Sequence, residues 1–411
     1  MFSLRSAVIA PLVVVLLLVP SSRAAEQLPQ QLSDEAFWGL VERSSEPDGS
    51  FISENFLSNE EGFQYVIPPL LHRVKPGGVY MGVGPEQNFT YVAALHSKMA
   101  FIVDIRRQNL IEHLLYKAAF ELSQNRAEFL SLLFCRKPKA ALTSDTPVEE
   151  LFQAFDETPQ DPAIYSKNLQ IVKDQLRKVH KFKLNAKDEA SLDHVYNTFA
   201  VQGANLGYFV DKAMRDGVVY PINNNPTTMQ IFNVPEGPIE NSDGNSFRFP
   251  IVPQTMTTVI QTTMTFPTYA KLVAATDGQG KNWGFLADEN NYRTVRDMER
   301  RNLIVPIVGD FAGPKAIRAI GQYLKEHASA VSVFYLSNVE QYLSPPDVLR
   351  SFYSNVAELP LTSESTFIRS AQGAGTQPGV AQSSLSSMQE VLEAVMDGRV
   401  QYQRDILRLF N

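Results

Sequence analysis

Four short apolar runs without polar alternation recur along the chain, and each is followed by a segment with helical spacing of apolar residues. The runs are Val79–Met81, Ala100–Asp104, Leu303–Val308 and Ala330–Leu336, and Thr366–Ile368 is a further candidate. Strands that are apolar at every position are typical of parallel sheets covered on both faces. The sequence therefore predicts an α/β protein with a mostly parallel sheet, right-handed crossovers and helices on both faces.

The order of these patterns divides the 411 residues into six parts. A long stretch rich in Asn, Pro, Gly and Ser separates the second predicted strand from the third, and we expect an insertion there that forms a lid or a substrate domain. The predicted parts are a signal peptide (1–25), an N-terminal helix and loop (26–62), the first part of the core (63–136), the insertion (137–289), the second part of the core (290–370), and a linker with C-terminal helices (371–411).

The amino terminus has the three parts of a secretory signal. Arg5 supplies a positive charge, Ala7–Val19 is apolar apart from one proline, and Ser22-Arg23-Ala24 offers small residues for cleavage after Ala24 or Ala25. The apolar run is short for a membrane span, although an uncleaved anchor is the alternative. We expect an exported, secreted or periplasmic protein with no stable membrane span after cleavage.

Charge and cysteine content exclude several classes of partner and site. The formal net charge is −7 and no basic block is present, which disfavours nucleic acid as a partner. The single cysteine, Cys135, cannot form an intramolecular disulfide, and its apolar surroundings predict a buried thiol. No histidine pair has the i, i+4 spacing of a helical metal site, so we predict no metal.

The segment from Val79 to Asp104 is the most informative part of the sequence. A strand enters a glycine turn at Gly82 and Gly84, a helix follows, and a second strand ends at Asp104, 22 residues after Gly82. Glycines let the backbone approach a ligand, the helix start offers free amides, and the carboxylate is placed for a ribose diol. The alternative is a glycine turn in an α/β fold that binds no ligand.

These residues carry a resemblance to a known superfamily. Lys75-Pro-Gly-Gly-Val-Tyr-Met-Gly-Val-Gly84 and Phe101-Ile-Val-Asp104 resemble the first two motifs of class I S-adenosylmethionine-dependent methyltransferases. Val308-Gly-Asp-Phe311 and Val333-Phe-Tyr-Leu-Ser-Asn-Val339 resemble their later motifs. The chain is more closely similar to an uncharacterised exported bacterial family with this Rossmann-like, methyltransferase-like fold, over most of the mature chain.

The resemblance implies a role for each matching position. The turn would hold the amino-acid part of S-adenosylmethionine, Asp104 the ribose hydroxyls, Asp310 the adenine amino group, and Asn338 would lie under the sulfonium. The implied cofactor-binding set is Gly82, Val83, Gly84, Pro85, Glu86, Asp104, Ile105, Asp310, Phe311 and Asn338. Asn338, Glu340 and Tyr342 are the candidate catalytic residues, and Asn59 and Glu60 are further candidates for the acceptor side. For each acceptor-side candidate, a surface or capping role is the alternative.

Two positions depart from the superfamily pattern. Tyr80 stands where an acid is usual, and Glu86 replaces the third glycine, so Glu86 is a candidate to replace that acid. The resemblance implies a methyltransferase with an unknown acceptor, and whether the chain is an enzyme stays open. The alternative is a non-catalytic ligand-binding or interaction protein that retains the fold. A dinucleotide-dependent oxidoreductase ranks last, because Pro85 and Glu86 interrupt the required glycine spacing.

Overall fold

A computed structural model describes residues 27–51, 53–207, 267–343, 345–371 and 382–410, together with the backbone of five short strands between residues 219 and 265. The predicted signal peptide lies outside the described residues. No helix in the described ranges is long and apolar enough to span a bilayer. The strands are β1 (Val79–Gly82), β2 (Met99–Asp104), β3 (Val219–Pro221), β4 (Thr228–Ile231), β5 (Ile239–Glu240), β6 (Ser246–Phe247), β7 (Thr263–Thr265), β8 (Ile304–Val308), β9 (Val331–Ser337), β10 (Leu361–Ala371) and β11 (Gln382–Ser387).

Helices fill most of the remaining described chain. They are α1 (Asp34–Ser44), α2 (Ile67–Arg73), α3 (Gln87–Ala94), α4 (Arg107–Leu122), α5 (Arg126–Phe134), α6 (Val148–Asp156), α7 (Pro162–Asp174), α8 (Ala186–Gln202), α9 (Tyr269–Val273), α10 (Glu289–Arg300), α11 (Ala316–Glu326), α12 (Pro346–Val356), α13 (Met388–Met396) and α14 (Gln403–Phe410). Short 3₁₀ segments lie at Phe63–Val66, Gly203–Asn205 and Val339–Tyr342, and a π turn at Gln175–Val179 extends α7.

The central sheet has six strands in the order β11-β10-β9-β1-β2-β8. The five strands from β10 to β8 are parallel, and β11 pairs antiparallel with β10 at the edge. Along the chain the strands run outward from β1 through β2 to β8, and then return to the other side of β1 as β9 and β10. The predicted α/β class, with a mostly parallel sheet surrounded by helices, is confirmed.

Burial explains why these strands are apolar at every position. Every residue of β1, β2 and β8 is buried. Helices α4 and α11 both contact β2, where the Phe101 ring lies 5.8 Å from that of Tyr323 on α11. Parallel strands that are buried on both faces have nearly continuous apolar sequences, as these strands do.

The described part of residues 137–289 is packed onto the core. Helix α8 lies against α4 and α5, and the Phe199 ring meets the Tyr116 ring edge-on at 5.6 Å. Helix α9 contacts α6, where Tyr269 and Phe152 lie 5.3 Å apart. These helices therefore share one hydrophobic core with the sheet.

Two local predictions were wrong. Apolar residues recur at helical spacing over residues 110–134 and predict a single helix, but the chain breaks between α4 and α5, where the Asn125 side chain accepts a hydrogen bond from the Glu128 amide at 2.9 Å and starts a new helix. The Gly, Gln and Ser content of residues 371–384 predicts a linker, but Gln382–Ser387 forms the edge strand β11. Its small buried serines pack close to the Phe63–Val66 turn.

Candidate functional site

A cavity of about 580 Å³ opens at the carboxyl ends of β1, β2, β8 and β9. Its volume falls in the range of small-molecule sites, and it lies where the strand order reverses between β1 and β9. The wall is formed by Gly49, Ser50, Phe51, Asn55, Leu57, Ser58, Asn59, Glu60, Val83, Gly84, Pro85, Gln87, Asp104, Ile105, Arg106, Asp310, Phe311, Ser337, Asn338, Val339, Tyr342, Leu343 and Val348. Eight of the ten predicted cofactor-binding residues are in this wall; Gly82 and Glu86 are not.

The glycine turn after β1 has its backbone fixed from behind. The Asn88 side chain donates hydrogen bonds to the carbonyls of Val83 at 2.9 Å, Gly84 at 3.2 Å and Pro85 at 2.7 Å. Gly84 has a φ of +78°, which favours glycine, and a Cβ at Gly82 would overlap the Asn88 side chain. Because the carbonyl and amide of a trans peptide point in opposite directions, the Gly84 amide faces away from Asn88.

Tyr80, which stands where an acid is usual in the superfamily, supports the glycine turn. Its side chain is fully buried, and its hydroxyl donates a 2.8 Å hydrogen bond to Asn88 Oδ1. Burial raises the pKa of Tyr80 well above its usual value, so the phenol stays neutral. At this position the chain has a support for the turn rather than a carboxylate for a ligand ammonium.

Glu86 does not take over the role of that missing acid. Its carboxyl is buried in the interior and does not line the cavity, and its Oε2 has no hydrogen-bond partner among the described residues. Burial raises the pKa of Glu86 to about 8, although the amides of Glu86 and Ser58 oppose this shift. Glu112 lies close enough for its pKa, already raised by burial, to be raised further by Glu86. The expectation that Glu86 binds the cofactor is therefore corrected.

Asp104 reaches the cavity but is already engaged. Arg106 donates to Asp104 Oδ1 from its amide at 2.9 Å and from Nε at 3.0 Å, and to Oδ2 from Nη2 at 2.9 Å. Arg106 Nη1 also donates to the Glu54 carbonyl. The Asp104–Arg106 pair therefore connects the end of β2 to residues 46–62, which lie between α1 and the Phe63–Val66 turn and are called here the loop before β1. A carboxylate offers about four acceptor positions, so Oδ2 retains one for a ligand hydroxyl.

Asp310 and Phe311 follow β8 and present different chemistry to the cavity. Asp310 is exposed, and its Oδ1 accepts a 2.9 Å hydrogen bond from the Ala312 amide. Phe311 is buried, with its ring stacked on that of Phe334 at 5.9 Å. An acceptor beside an aromatic ring suits a flat heterocycle that carries an amino group.

The segment after β9 supplies two of the three predicted catalytic residues to the wall. The Asn338 carbonyl accepts a 3.1 Å hydrogen bond from the Gln341 amide, which starts the Val339–Tyr342 turn. Tyr342 meets the Phe51 ring edge-on at 5.0 Å, and burial raises the pKa of its hydroxyl. Asn338 and Tyr342 therefore border the cavity, and Tyr342 also contacts the loop before β1 through Phe51.

Glu340 is placed elsewhere. It is buried away from the cavity wall, where its Oε2 accepts a 2.7 Å hydrogen bond from Arg369 Nε on β10. Its Oε1 accepts from the Tyr353 hydroxyl of α12. The expectation that Glu340 acts on an acceptor is corrected, because this carboxylate joins a helix to the sheet.

The loop before β1 contributes more of the wall than the sequence indicated. Residues 46–62 were predicted only to be a loop, yet eight residues between Gly49 and Glu60 line the cavity. Among these, the acceptor-side candidates Asn59 and Glu60 were predicted. Gln87 was missed; its side chain donates a 3.1 Å hydrogen bond to the Tyr335 hydroxyl. Only its position directly after the glycine turn could have identified it.

The predicted insertion does not cover the main cavity within the described residues. Its Lys187, Asp188 and Ser191 instead line a smaller neighbouring pocket of about 250 Å³, which shares Gly49, Ser50, Phe51 and Arg106 with the main cavity. In the described part of the chain, the cover of the main cavity is the loop before β1. A lid role for residues 208–266 falls largely outside the described residues.

Cys135 does not line the cavity. Cys135 is buried, its Sγ lies 3.1 Å from the Tyr196 hydroxyl, and burial raises its pKa to about 11. No group of three metal-ligating side chains occurs among the residues with described positions. The predicted buried thiol is confirmed.

Comparison with known proteins places the chain in a family. A family model described as "Domain of unknown function (DUF7790)" matches residues 55–198 and 251–407. The chain belongs to this family. The DUF7790 match includes Glu60, the glycine turn and every later strand of the central sheet, and its interruption falls in the connection between β2 and β8. No curated protein matches the chain.

Proposed function

We propose that this DUF7790 protein binds S-adenosylmethionine in the cavity and transfers its methyl group to an acceptor. One observation carries the proposal: the turn after β1, Asp104 after β2, Asp310 after β8 and Asn338 after β9 border the same cavity. These four segments are the ones to which the superfamily resemblance assigns the cofactor.

We also propose that the central sheet is a Rossmann-like, methyltransferase-like core. From the β8 edge, the sheet order β8-β2-β1-β9-β10 corresponds to the order 3-2-1-4-5 of Rossmann-like sheets, in which ligands bind at the reversal beside the first strand. The long connection between β2 and β8 is then an insertion into a Rossmann-like, methyltransferase-like core.

The donor set fits an adenosyl ligand. The Gly84 amide and the start of α3 suit a carboxylate, and Asp104 Oδ2 suits a ribose hydroxyl. Asp310 and Phe311 suit the adenine amino group and ring. The bound donor would supply a methyl group on a sulfonium that leaves as a neutral thioether, so the chain needs only to bind, orient and exclude water.

A second function, ligand binding without methyl transfer, is favoured by a separate observation. Tyr80 supports Asn88 and Glu86 is buried in the interior, so neither offers a carboxylate to the ammonium of the donor. Predicted export points the same way, because the donor is made in the cytoplasm. In that case the fold and cavity persist without the chemistry.

Calorimetric titration of the purified protein with S-adenosylmethionine and S-adenosylhomocysteine tests the proposal. We expect saturable binding of both, weakened at least tenfold by Asp310→Ala, while an exposed carboxylate outside the cavity, changed in Glu326→Ala, serves as the control. No binding of either ligand at millimolar concentration would reject an adenosyl site. Binding without methyl consumption across amine and hydroxyl acceptors would favour the second function.

A further inference from the structure

Glu60 is a buried carboxyl group in the wall of the main cavity. Only 2% of the residue is exposed, and its Oε1 accepts a hydrogen bond from the Ser337 hydroxyl at the end of β9. Its own amide donates to Ser58 Oγ at 3.1 Å within the loop before β1. Glu60 therefore connects the loop before β1 to the carboxyl end of β9.

No cation compensates the Glu60 charge within the described structure. The titratable groups that face it are the phenols of Tyr80 on β1, Tyr91 on α3 and Tyr335 on β9, and the hydroxyl of Ser370 on β10 lies close by. Among the described residues its buried Oε2 has no hydrogen bond of good geometry, although the hydroxyls of Tyr335 and Ser370 lie near enough to lower the pKa of the carboxyl. Burial raises the pKa of Glu60 against the opposing effect of nearby hydroxyls, because a carboxylate without a cation is poorly solvated there.

Ser337 supports Glu60 from an unusual backbone conformation. Its φ is +52°, in the left-handed region that residues with a Cβ rarely adopt. Such strain persists where surrounding contacts fix it, and it concentrates at functional sites. Here it turns the chain at the end of β9, with the Ser337 hydroxyl on Glu60 and Asn338 in the cavity wall.

We propose that Glu60, oriented by Ser337, is the catalytic residue that accepts a proton from the methyl acceptor, and that a cationic ligand in the cavity favours its carboxylate form. This inference rests on the proposed function. It assigns the acceptor to compounds with a neutral O–H or N–H nucleophile, because a carboxylate acceptor has no proton to give and is repelled by Glu60.

The step balances in atoms and charge. The O–H or N–H bond of the acceptor breaks and its proton goes to the Glu60 carboxylate. A lone pair of the acceptor oxygen or nitrogen forms the new bond to the methyl carbon, and the electron pair of the broken O–H or N–H bond stays on that oxygen or nitrogen. The electron pair of the broken carbon–sulfur bond stays on sulfur. A buried carboxyl with a raised pKa is a better base at neutral pH than an exposed one, because general bases act best when their pKa is near the operating pH.

The charge on the sulfur of the bound ligand allows the role of Glu60 to be tested without measuring activity. S-adenosylmethionine carries a sulfonium cation, whereas S-adenosylhomocysteine has a neutral sulfur in the same place. The cation supplies the partner that Glu60 lacks and lowers its pKa, so the carboxyl releases a proton on binding. The neutral analogue does not have this effect.

Calorimetry in buffers of different ionisation enthalpy measures the protons released by each ligand over a pH series. Wild type should release up to about one proton more with S-adenosylmethionine than with S-adenosylhomocysteine. Glu60→Gln should bind both ligands with no difference in proton release, and Ser337→Ala should shift the difference to higher pH. Glu61→Gln, which removes the adjacent and more exposed carboxylate, should behave as wild type.

The outcomes separate this inference from the proposed function. If neither ligand binds, the proposed function fails and this inference fails with it. If both bind with equal proton release in wild type, or if Glu60→Gln keeps the difference, the role of Glu60 is rejected while the adenosyl site stands. Thermal unfolding of each variant confirms that it is folded before the comparison.

Discussion

Two buried carboxyl groups near the end of β9 differ in their partners. Glu340 contacts Arg369 and Tyr353 and joins β10 to α12. Glu60 is also buried, but among the described residues its carboxyl contacts hydroxyl groups and no cation, and it borders the cavity. Burial alone does not distinguish a structural carboxylate from one that can accept a proton in a reaction. The presence or absence of a cation does, because a cation keeps its partner carboxylate ionised, whereas the protonation of an unpaired carboxyl responds to a ligand.

The largest expected effect comes from breaking the Glu340 pair. Glu340→Ala leaves the Arg369 guanidinium buried without its carboxylate, which should lower the free energy of unfolding by about 3–5 kcal/mol in urea titrations. The matched control is Glu358→Ala, which removes a 3.0 Å ion pair with Lys325 that is about half exposed and should have a much smaller effect, because solvent screens an exposed pair. Equal effects of the two variants would contradict the structural role of Glu340.

Glu86 extends the comparison to a carboxyl that is buried outside the cavity. Its folded-state pKa of about 8 exceeds the ordinary value of 4.5, so the folded protein binds the proton more tightly than the unfolded chain. Wild-type stability should therefore fall as pH rises through this window, and Glu86→Gln should remove about 2–4 kcal/mol of that loss. The measurement is urea unfolding at several pH values. If the free energy of unfolding depends on pH in Glu86→Gln as it does in wild type, the pKa of Glu86 is not raised in the folded protein.

Alanine in the glycine turn should have a smaller effect on stability, similar to its effect in a turn outside the cavity, but a different effect on ligand binding. Gly84 and Gly398 have φ values of +78° and +82°, so alanine at either position should cost about 1 kcal/mol. Only Gly84→Ala should also weaken adenosyl ligand binding, because Gly398 lies outside the cavity wall. Calorimetry on both variants checks this expectation, and equal affinities would remove the turn from the site.

The smallest expected effect on stability belongs to Glu60→Gln. The amide oxygen can still accept the Ser337 hydrogen bond, and no cation loses a partner. We expect the free energy of unfolding near neutral pH to change by less than about 1 kcal/mol, in contrast to Glu340→Ala. A large destabilisation would instead indicate that Glu60 is a structural carboxylate of the same kind as Glu340.

Much of the sheet could be predicted because its strands are buried on both faces. The run Val79–Met81 became β1 and Ala100–Asp104 became β2, and each predicted strand differs from the observed one at a single terminal residue. Strand β11 could not be predicted, because Gln382–Ser387 is polar and pairs through its backbone at an edge. The break before Asn125 was missed because apolar spacing continues across it.

The residues of the cavity could be predicted only in part, because some side-chain partners are set by the tertiary fold. Residues that directly follow predicted strands, such as Asp104, Asp310 and Asn338, must meet at the carboxyl edge of a parallel sheet. The sequence suggested Glu340 as a catalytic residue and Glu60 as a further acceptor-side candidate, and the contact of Glu340 with Arg369, 29 residues further along the chain, decides between them. Such pairings depend on the tertiary fold and leave no local pattern.

The central claim is that the carboxyl edge of β1, β2, β8 and β9 binds one adenosyl ligand. A crystal structure of the protein grown with S-adenosylhomocysteine tests this claim most directly. We predict electron density for the ligand between the Gly84 turn and Phe311, with a ribose hydroxyl on Asp104. A main cavity that stays empty at saturating ligand, or a ligand bound elsewhere on the chain, would contradict it.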